Sequence, residues 1–395
     1  MQNLSSDLPC RRTLEGDRAL NKFDPARAMI TDEALNELLA AKGVETELPQ
    51  YNTHASEDAI RHYALGIGDD NPLYLDPDYG PTSARGGMVA PPTFVMTCGF
   101  PRSRGLAGIH GLFSGVDLHC HKPLKLGTRI KATTTLHDLV EHQGRYSGRS
   151  FEQIYETKYL DENGELLSTL YTMAFRTERK AGGSRGKYAD LERASYTPEQ
   201  IAEIGEVYRQ EVVRRQGATP LYFEDVNVGD RLRGLQKGPL TVTDMICFLM
   251  GFGYIYVRAH RQWYSFIDRH PGAGVTDTFG VPDVPERVHW DEALAQEIGM
   301  PTMYDYGPQR IGWFDHTLSD WMGDHGWLRR LKAKLTAPNF VGDVTRTVGE
   351  IVARDETDNS VVVELSAIDQ RGRTTATASA EVVLPSRIDD VGART

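Results

Sequence analysis

Residues 68–76 read Gly-Asp-Asp-Asn-Pro-Leu-Tyr-Leu-Asp, and residues 283–291 read Asp-Val-Pro-Glu-Arg-Val-His-Trp-Asp. Setting Tyr74 on His289 gives an offset of 289 − 74 = 215 residues, which also places Asp76 on Asp291. The same offset carries three further landmarks onto partners: Pro92 onto Gly307, Pro123 onto Pro338, and Gly127 onto Gly342. Matches at one constant spacing indicate a duplicated domain.

The two copies differ in their chemistry. His289, a side chain that transfers protons near neutral pH, faces Tyr74. Gly307 can offer a backbone N–H, whereas its counterpart Pro92 has none. We therefore expect the second copy to carry a reaction and the 68–76 loop of the first copy to be a folding element.

The composition limits the possible classes of protein. At 395 residues and 40% hydrophobic, the chain can bury two ordinary cores. No apolar run is long enough to span a bilayer and no leader precedes the first domain, so we expect a cytoplasmic protein without membrane contact. The cysteines show no CxxC spacing, and a net charge of −11 argues against nucleic-acid binding.

The chain divides into five parts. We expect an N-terminal arm over 1–50, a first domain over 51–178 and a second domain over 221–385. A linker over 179–220 begins with Lys, Gly and Ser and contains a helix capped by Thr197 that ends at Gly217. Residues 386–395 form a tail.

Each domain repeats one succession of elements. The pattern predicts a helix at 31–41, and paired helices at 55–67 and 242–250 whose offset is 244 − 58 = 186. The second copy then gains 215 − 186 = 29 residues, roughly 254–282, which are rich in aromatic side chains. Central apolar helices follow at 93–99 and 309–322. Four strands come next in each copy, at 111–121, 128–140, 151–161 and 165–176, and at 328–337, 343–354, 359–369 and 373–384. A helix followed by a meander of strands predicts an α+β fold.

These residues also carry a family resemblance. The run Gly-Asp-x-Asn-Pro-x-Tyr-x-Asp and the later Ala-Pro-Pro-Thr-Phe (90–94) resemble the degenerate N-terminal half, of FAS1-like dehydratase type, in MaoC-like acyl dehydratases. The His-x-Asp at 289–291, Gly307 before an apolar helix, and Pro-x-x-x-Gly-Asp (338–343) resemble their hydratase half. The resemblance implies a double hotdog, in which two antiparallel sheets, each wrapped around a helix, join as a pseudo-dimer.

The resemblance further implies a hydro-lyase of fatty acid metabolism that interconverts 2-enoyl-CoA and (R)-3-hydroxyacyl-CoA. An imidazole and a carboxylate would activate water, and a backbone N–H would hold the thioester oxygen. His289 and Gly307 fit two of these roles. The family's carboxylate lies five residues before the histidine, where this chain has Val284. Asp283, one residue earlier, is our first candidate; Glu286 is the second, and Asp69 could reach across the pseudo-dimer.

Other polar residues have weaker assignments. Arg310, Arg329, Arg330 and Lys332 are candidates to bind the substrate, although the strand residues among them could simply be solvated. Asp117, His119 and His121 alternate along a strand and share a face, but ordinary strand residues are favoured over ligand contacts or a metal site. We predict no metal and no cofactor beyond the CoA of the substrate. Asp291 is expected to hold its loop.

Several alternatives stay open at this level. The missing carboxylate at Val284 favours a protein that binds a thioester or a partner subunit without turnover. A hotdog thioesterase could use Glu286 or Asp291. The aromatic insertion is either a lid over a bulky acyl group or packing on a sheet edge. Exposed edges on each hotdog predict a homodimer.

Overall fold

A computed structural model describes residues 29–101, 105–106, 109–143, 149–177, 188, 191–254, 257–270 and 273–388. Its helices are α1 (Asp32–Ala40), α2 (Glu57–Ile67), α3 (Pro72–Leu75), α4 (Pro198–Arg214), α5 (Val242–Phe252), α6 (Arg261–Arg269), α7 (Glu292–Glu297) and α8 (Gly307–Met322). The strands of the first half are β1 (Thr46–Glu47), β2 (His110–Cys120), β3 (Lys131–Gln143), β4 (Arg149–Leu160) and β5 (Leu166–Thr177). Those of the second half are β6 (Arg231–Leu232), β7 (Gln236–Lys237), β8 (Val275–Thr276), β9 (Pro282–Asp283), β10 (Trp327–Leu335), β11 (Thr345–Asp355), β12 (Ser360–Asp369) and β13 (Thr374–Val383).

One antiparallel sheet runs through both halves. Its order is β1-β3-β4-β5-β2-β10-β13-β12-β11-β6, with β7 also paired to β11. The halves join where β2 meets β10, in a register that sets Leu118 opposite Leu331 and Asp117 opposite Lys332. Both leucines are fully buried, so the junction is part of the core. The α+β double hotdog is confirmed, with its two sheets continuous.

The repeat is visible in the backbone. An isolated bridge joins Val89 to Lys125 in the first half, and another joins Tyr304 to Phe340 in the second, again 215 residues apart (304 − 89 and 340 − 125). Gly127 and Gly342 both have left-handed φ values, of 84° and 96°. Glycine adopts such values without the steric penalty of a side chain, which explains why both copies keep it.

The two central helices differ in form. In the second half, α8 is a 16-residue α-helix with nearly every side chain buried. Its counterpart in the first half is a seven-residue 3-10 helix over Pro92–Cys98, shorter and tighter than an α-helix. Pro91 and Pro92 offer no N–H at its start, and Gly99 at φ 136° ends it.

Helices α2 and α5 pack on each other about a pseudo-two-fold axis. A Cβ on Gly66 would lie 2.9 Å from the Cys247 carbonyl oxygen, and one on Gly251 would lie 2.2 Å from that of His62. Gly68 and Gly253 end the two helices in the left-handed conformation. The helix offset is therefore 253 − 68 = 185, which corrects the predicted 186 and makes the insertion 215 − 185 = 30 residues.

Part of the predicted arm belongs to the first half. Helix α1 buries Leu35 and Leu38 against Ile109 and Phe151, and β1 pairs with β3. The predicted boundary at residue 50 therefore cuts through a packed unit. In the linker, α4 begins with a capping box at Thr197 but ends at Arg214, before Gly217.

Candidate active site

His289 lies at the end of a 3-10 turn over Pro285–His289. Its Nδ1 is 2.8 Å from the carbonyl oxygen of Tyr304. Because a carbonyl only accepts, Nδ1 carries the proton and Nε2 keeps its lone pair. Burial of the ring lowers its pKa to about 4. The imidazole is therefore neutral at pH 7, with Nε2 able to take a proton.

The structure places His289 against Tyr306, the residue before Gly307. The ring of Tyr306 lies 3.8 Å from the imidazole, centroid to centroid, and Gly307 begins α8. A Cβ at Gly307 would lie 2.5 Å from the Phe113 ring and 2.7 Å from a Leu335 methyl group, so a larger residue would require these side chains to shift. The first turn of α8 has no side-chain cap from Tyr306. Unfilled N–H groups at a helix start attract negative charge.

The contacts of Asp283 are with its own loop and with Arg287. One of its oxygens accepts the N–H of Val284 at 2.7 Å, and the other lies 3.6 Å from Arg287. Asp291 caps α7 by accepting the Leu294 N–H at 3.0 Å and pairs with Arg287 at 2.6 Å, which is the loop-holding role expected of it. These contacts direct both carboxylates toward Arg287 and the loop backbone. Glu286, the second candidate, is buried.

The structural counterpart of the missing carboxylate is a tyrosine. In the first half Asp69 follows Gly68, the cap of α2; in the second, Tyr254 follows Gly253, the cap of α5. The insertion separates this position from His289, so counting back five residues to Val284 misses it. The ring of Tyr254 lies 6.1 Å from that of Tyr306. Aligning the two glycine caps would have revealed the exchange.

Asp69 contacts the second half, as considered above, but the histidine beside it is His316 and not His289. Its Oδ1 lies 3.6 Å from Nε2 of His316 on α8. On the far side of that ring, Nζ of Lys237 lies 2.6 Å from Nδ1 and donates to the Ile67 carbonyl at 3.0 Å. Asp320 completes the cluster at 3.7 Å from His316. No motif in the sequence marks His316, Lys237 or Asp320, and two of them, His316 and Asp320, lie in the apolar pattern of α8.

Burial controls protonation in this cluster. Desolvation and the neighbouring Asp320 raise the pKa of Asp69 to about 8. Desolvation, reinforced by Lys237, lowers the pKa of His316 well below its usual value. At neutral pH the His316 imidazole is uncharged and Asp69 holds its proton, while Arg215 and Lys237 provide positive charge to Asp320.

Comparisons with known proteins agree with this architecture. Residues 40–170 match the family model of the FAS1-like dehydratase domain region. A stretch of 142 residues is 25% identical to a UPF0336 protein of Parafrankia sp. (strain EAN1pec), covering 34% of this chain and 89% of that protein. A solved MaoC-like dehydratase superimposes with a TM-score of 0.63 at 20% identity, covering 88% of this chain and 100% of the other. The fold is that of the MaoC-like dehydratases.

A second solved structure supports the same assignment. A conserved hypothetical protein of Mycobacterium tuberculosis with a double hotdog fold superimposes with a TM-score of 0.52 at 13% identity, covering 87% of this chain and 96% of the other. The resemblance predicted from the sequence is confirmed. The family model that matches residues 40–170 describes a dehydratase region. Within the described ranges, every helix is too short or too polar to span a bilayer.

The FAS1-like first half contains a cleft at the place equivalent to His289. The cleft encloses only about 40 Å³ and opens to solvent, and Tyr74 and Pro92 line it together with Trp327 of the second half. The helix start beside it is already occupied: Asp315 of α8 accepts the Thr93 N–H at 2.9 Å and the Thr93 hydroxyl at 2.5 Å. In the first half, a carboxylate of the protein therefore uses the donor that follows Pro92.

The basic residues predicted to bind substrate have protein partners in this MaoC-like fold. Arg310 is buried, lies 2.7 Å from Asp305 and donates to the Thr375 carbonyl, contacts that hold the structure together, and its ligand role stays a prediction. Arg329 pairs with Asp358 and Glu381 at 2.6 and 2.5 Å. Arg330 makes a bidentate pair with Asp117 at 2.7 and 2.5 Å. Lys332 is exposed on β10.

The possible metal ligands are also engaged. His121 contacts the Thr169 hydroxyl at 3.1 Å, while Asp117 is held by Arg330, so that strand keeps ordinary contacts. Among the described residues, one group has metal-like spacing, formed by Asp69, Asp70 and His316. Lys237 and Arg215 already contact this group, and two cations at such short range oppose the binding of a third.

The insertion has its own folded core. Trp263 of α6 is buried, donates its indole N–H to the Pro282 carbonyl at 2.7 Å and stacks on Phe266. The short hairpin of β8 and β9 leads directly into the turn that carries His289. Tyr264 is half exposed, and Tyr256 lies outside the described residues. Whether the insertion covers an acyl group stays a prediction.

Proposed function

We propose that this chain is a hydro-lyase that interconverts 2-enoyl and (R)-3-hydroxyacyl thioesters, with CoA as the expected carrier and His289 as the proton-transfer group. One observation carries the proposal. A neutral imidazole, held through Nδ1 by the Tyr304 carbonyl, lies against the uncapped first turn of a buried helix. A base next to N–H donors is the pair of features that addition of water to a conjugated thioester requires.

The pieces act in sequence during hydration. Nε2 of His289 takes a proton from water as the oxygen attacks C3 of the enoyl group. Negative charge moves to the thioester oxygen, where the Gly307 N–H and the start of α8 stabilise it. Because Phe113 and Leu335 pack against Gly307, water is kept from this helix terminus and its electrostatic effect is stronger.

The acyl chain would extend into the cleft of the first half, which would have to widen to hold it. Its walls are largely apolar, from Val89, Val95, Leu124, Met322 and Leu328, and both halves contribute. An acyl chain bound there would explain why the first half keeps its fold although Pro92 and Asp315 disable its helix start. Exposed Lys332 and other surface lysines are left as candidates to contact the phosphates of CoA.

A non-catalytic thioester-binding protein is the second candidate. The observation that favours it is the replacement of the expected carboxylate by Tyr254, together with the engagement of Asp283 by Arg287. Such a protein would bind acyl-CoA without consuming it.

Hydration of a panel of 2-enoyl-CoA thioesters tests the proposal. We expect at least one member to be turned over and His289→Ala to lower that rate by about 10²–10⁴-fold, because the only proposed base is lost. His121→Ala is the matched control, since this histidine contacts Thr169 on a strand of the first half. Binding without turnover by the wild type would favour the second candidate. Release of free CoA thiol would indicate a thioesterase.

A further inference from the structure

The ring of Tyr306 lies against the imidazole of His289, and its hydroxyl is buried. Only 3% of the residue is exposed, and the hydroxyl has no hydrogen-bond partner among the described residues. The ring is held on both sides, by His289 at 3.8 Å and by Phe248 at 5.6 Å between centroids. Because a buried hydroxyl without a partner is costly, proteins keep one mainly where a ligand or water completes it.

A second buried polar atom lies at the same helix start. Gln309, in the first turn of α8, is 2% exposed, and its side-chain oxygen also has no partner in the described part of the chain. Pro308 has no N–H and the Gln309 N–H donates to the Tyr306 carbonyl, so the Gly307 N–H is the backbone donor that this helix start offers, together with the helix dipole. A thioester with a water or hydroxyl group at C3 matches this set, since it carries both an acceptor and a donor.

The first half shows what the terminus looks like without this function. At the 215-residue offset, Tyr306 and Gly307 correspond to Pro91 and Pro92 (306 − 215 and 307 − 215). Both donors, the hydroxyl and the N–H, are missing there, and Asp315 binds the next N–H. The hydroxyl and the N–H are thus present together in one copy and absent together in the other.

We propose that Tyr306 is a catalytic residue whose hydroxyl, with the Gly307 N–H, binds the thioester oxygen, so that His289 alone moves the proton and no carboxylate is needed. The inference rests on the proposed function and deepens it. During hydration an O–H bond of water breaks and its proton goes to Nε2 as the C3–O bond forms. The electron pair of the double bond moves to the thioester oxygen as an enolate. The enolate then collapses, and the imidazolium returns the same proton to C2, which restores neutral His289.

The surroundings of Tyr306 suit a donor. Burial and the nearby tyrosines raise the pKa of its phenol, so the proton stays on the oxygen through the neutral range. A donor that stays protonated can stabilise a developing negative charge without being consumed. This role also accounts for the tyrosine at position 254, because a reaction with one base leaves that position free of the need for a carboxylate.

Tyr306→Phe removes a single oxygen atom and tests the proposal. We expect kcat to fall by about 10²-fold with KM changed less than threefold, as for loss of one oxyanion donor. Melting temperature should be unchanged or higher, because an unpartnered polar atom is removed. The matched control is Tyr63→Phe, whose buried hydroxyl bonds Thr93 at 2.9 Å. That variant should melt lower and keep its kcat, the opposite pattern.

A measurement on a bound thioester tests the role of Tyr306 separately from the proposed hydration activity. Infrared spectra of bound hexanoyl-CoA, a saturated analogue that cannot be hydrated, should show a thioester C=O band shifted to lower frequency in wild type. Tyr306→Phe should lose most of this shift, whereas His289→Ala should retain it. A kcat within threefold of wild type and an unchanged C=O shift would overturn the role of Tyr306, even if His289→Ala abolishes turnover. Asp283→Asn should stay within threefold of wild type, and a hundredfold loss there would overturn the one-base reaction.

Discussion

The two halves of this molecule have divided one pair of proton-transfer groups between them. The first half keeps the carboxylate, Asp69, and has Tyr74 where a histidine is expected; the second keeps His289 and has Tyr254 in place of the carboxylate. Each retained group contacts residues other than the expected partner: Asp69 lies near His316 across the junction, and His289 contacts Tyr304 and Tyr306. A duplicated site can therefore lose its pair of carboxylate and histidine while both halves stay folded.

The helix starts differ just as clearly. In the second half, the Gly307 N–H at the beginning of α8 has no side-chain cap from Tyr306. In the first half, two prolines precede Thr93, whose N–H and hydroxyl are bound by Asp315. A carboxylate from the protein thus sits where a substrate oxygen would have to bind. The comparison predicts reaction at one helix start and packing at the other.

Gly307→Pro is expected to have the largest effect, because it gives the helix start of the second half the proline that the first half has at Pro92. We expect hydration to fall by about 10²–10³-fold relative to Gly307→Ala, since one oxyanion donor is removed. Both variants add a Cβ that approaches Phe113 and Leu335, and only proline lacks the N–H. The measurement is kcat at saturating enoyl-CoA for each folded variant. Equal rates for proline and alanine would show that the N–H has no part in the reaction.

Lys237→Met tests whether the charged junction holds the halves together. Its ammonium contacts His316 and the Ile67 carbonyl at the end of α2, beside Asp69. Removing this buried charge leaves Arg215 as the cation beside Asp320 and breaks the contacts with His316 and Ile67, so we expect the free energy of unfolding to drop by about 3–5 kcal/mol. Urea unfolding measures it, with Lys332→Met on the exposed face of β10 as control. A loss similar to that of the control would mean the cluster adds little stability.

The pH dependence of stability tests the same buried cluster around Asp69 and His316, with a smaller expected effect. Asp69 has a folded pKa of about 8, above its ordinary value of 3.8, so the folded state holds a proton that the unfolded chain has released. Stability from this group is therefore present at low pH and is lost as pH rises toward 8. Asp69→Asn cannot lose that proton. Relative to this variant, the free energy of unfolding of the wild type should fall by on the order of 1–3 kcal/mol between pH 5 and pH 8. If thermal unfolding gave wild type and Asp69→Asn the same dependence of stability on pH, the raised pKa of Asp69 would be contradicted.

Sequence patterns predicted the architecture well because they act locally. Strand alternation placed all eight long strands within about three residues of their observed ends, and α5 continues two residues beyond its predicted end at 250. The repeat and the family resemblance singled out His289 and Gly307, and the structure places His289 against Tyr306, the residue before Gly307. The carboxylate was harder to assign, because the insertion moved its counterpart, Tyr254, away from the motif.

The sequence by itself determined the duplication, the succession of helix and strands in each copy, and the absence of a histidine and of the N–H donor at the equivalent positions of the first half. Those features depend on spacing, on proline's missing N–H and on glycine's freedom at positive φ, which are properties of a residue and its neighbours. Only the tertiary structure decided that Asp69 meets His316, that Asp315 blocks Thr93 and that the Tyr306 hydroxyl is buried without a partner. The first two contacts join residues more than 200 positions apart (316 − 69 and 315 − 93), and the burial of Tyr306 depends on packing between elements. Such pairings arise when separate elements pack, and no local pattern records which polar groups then face each other.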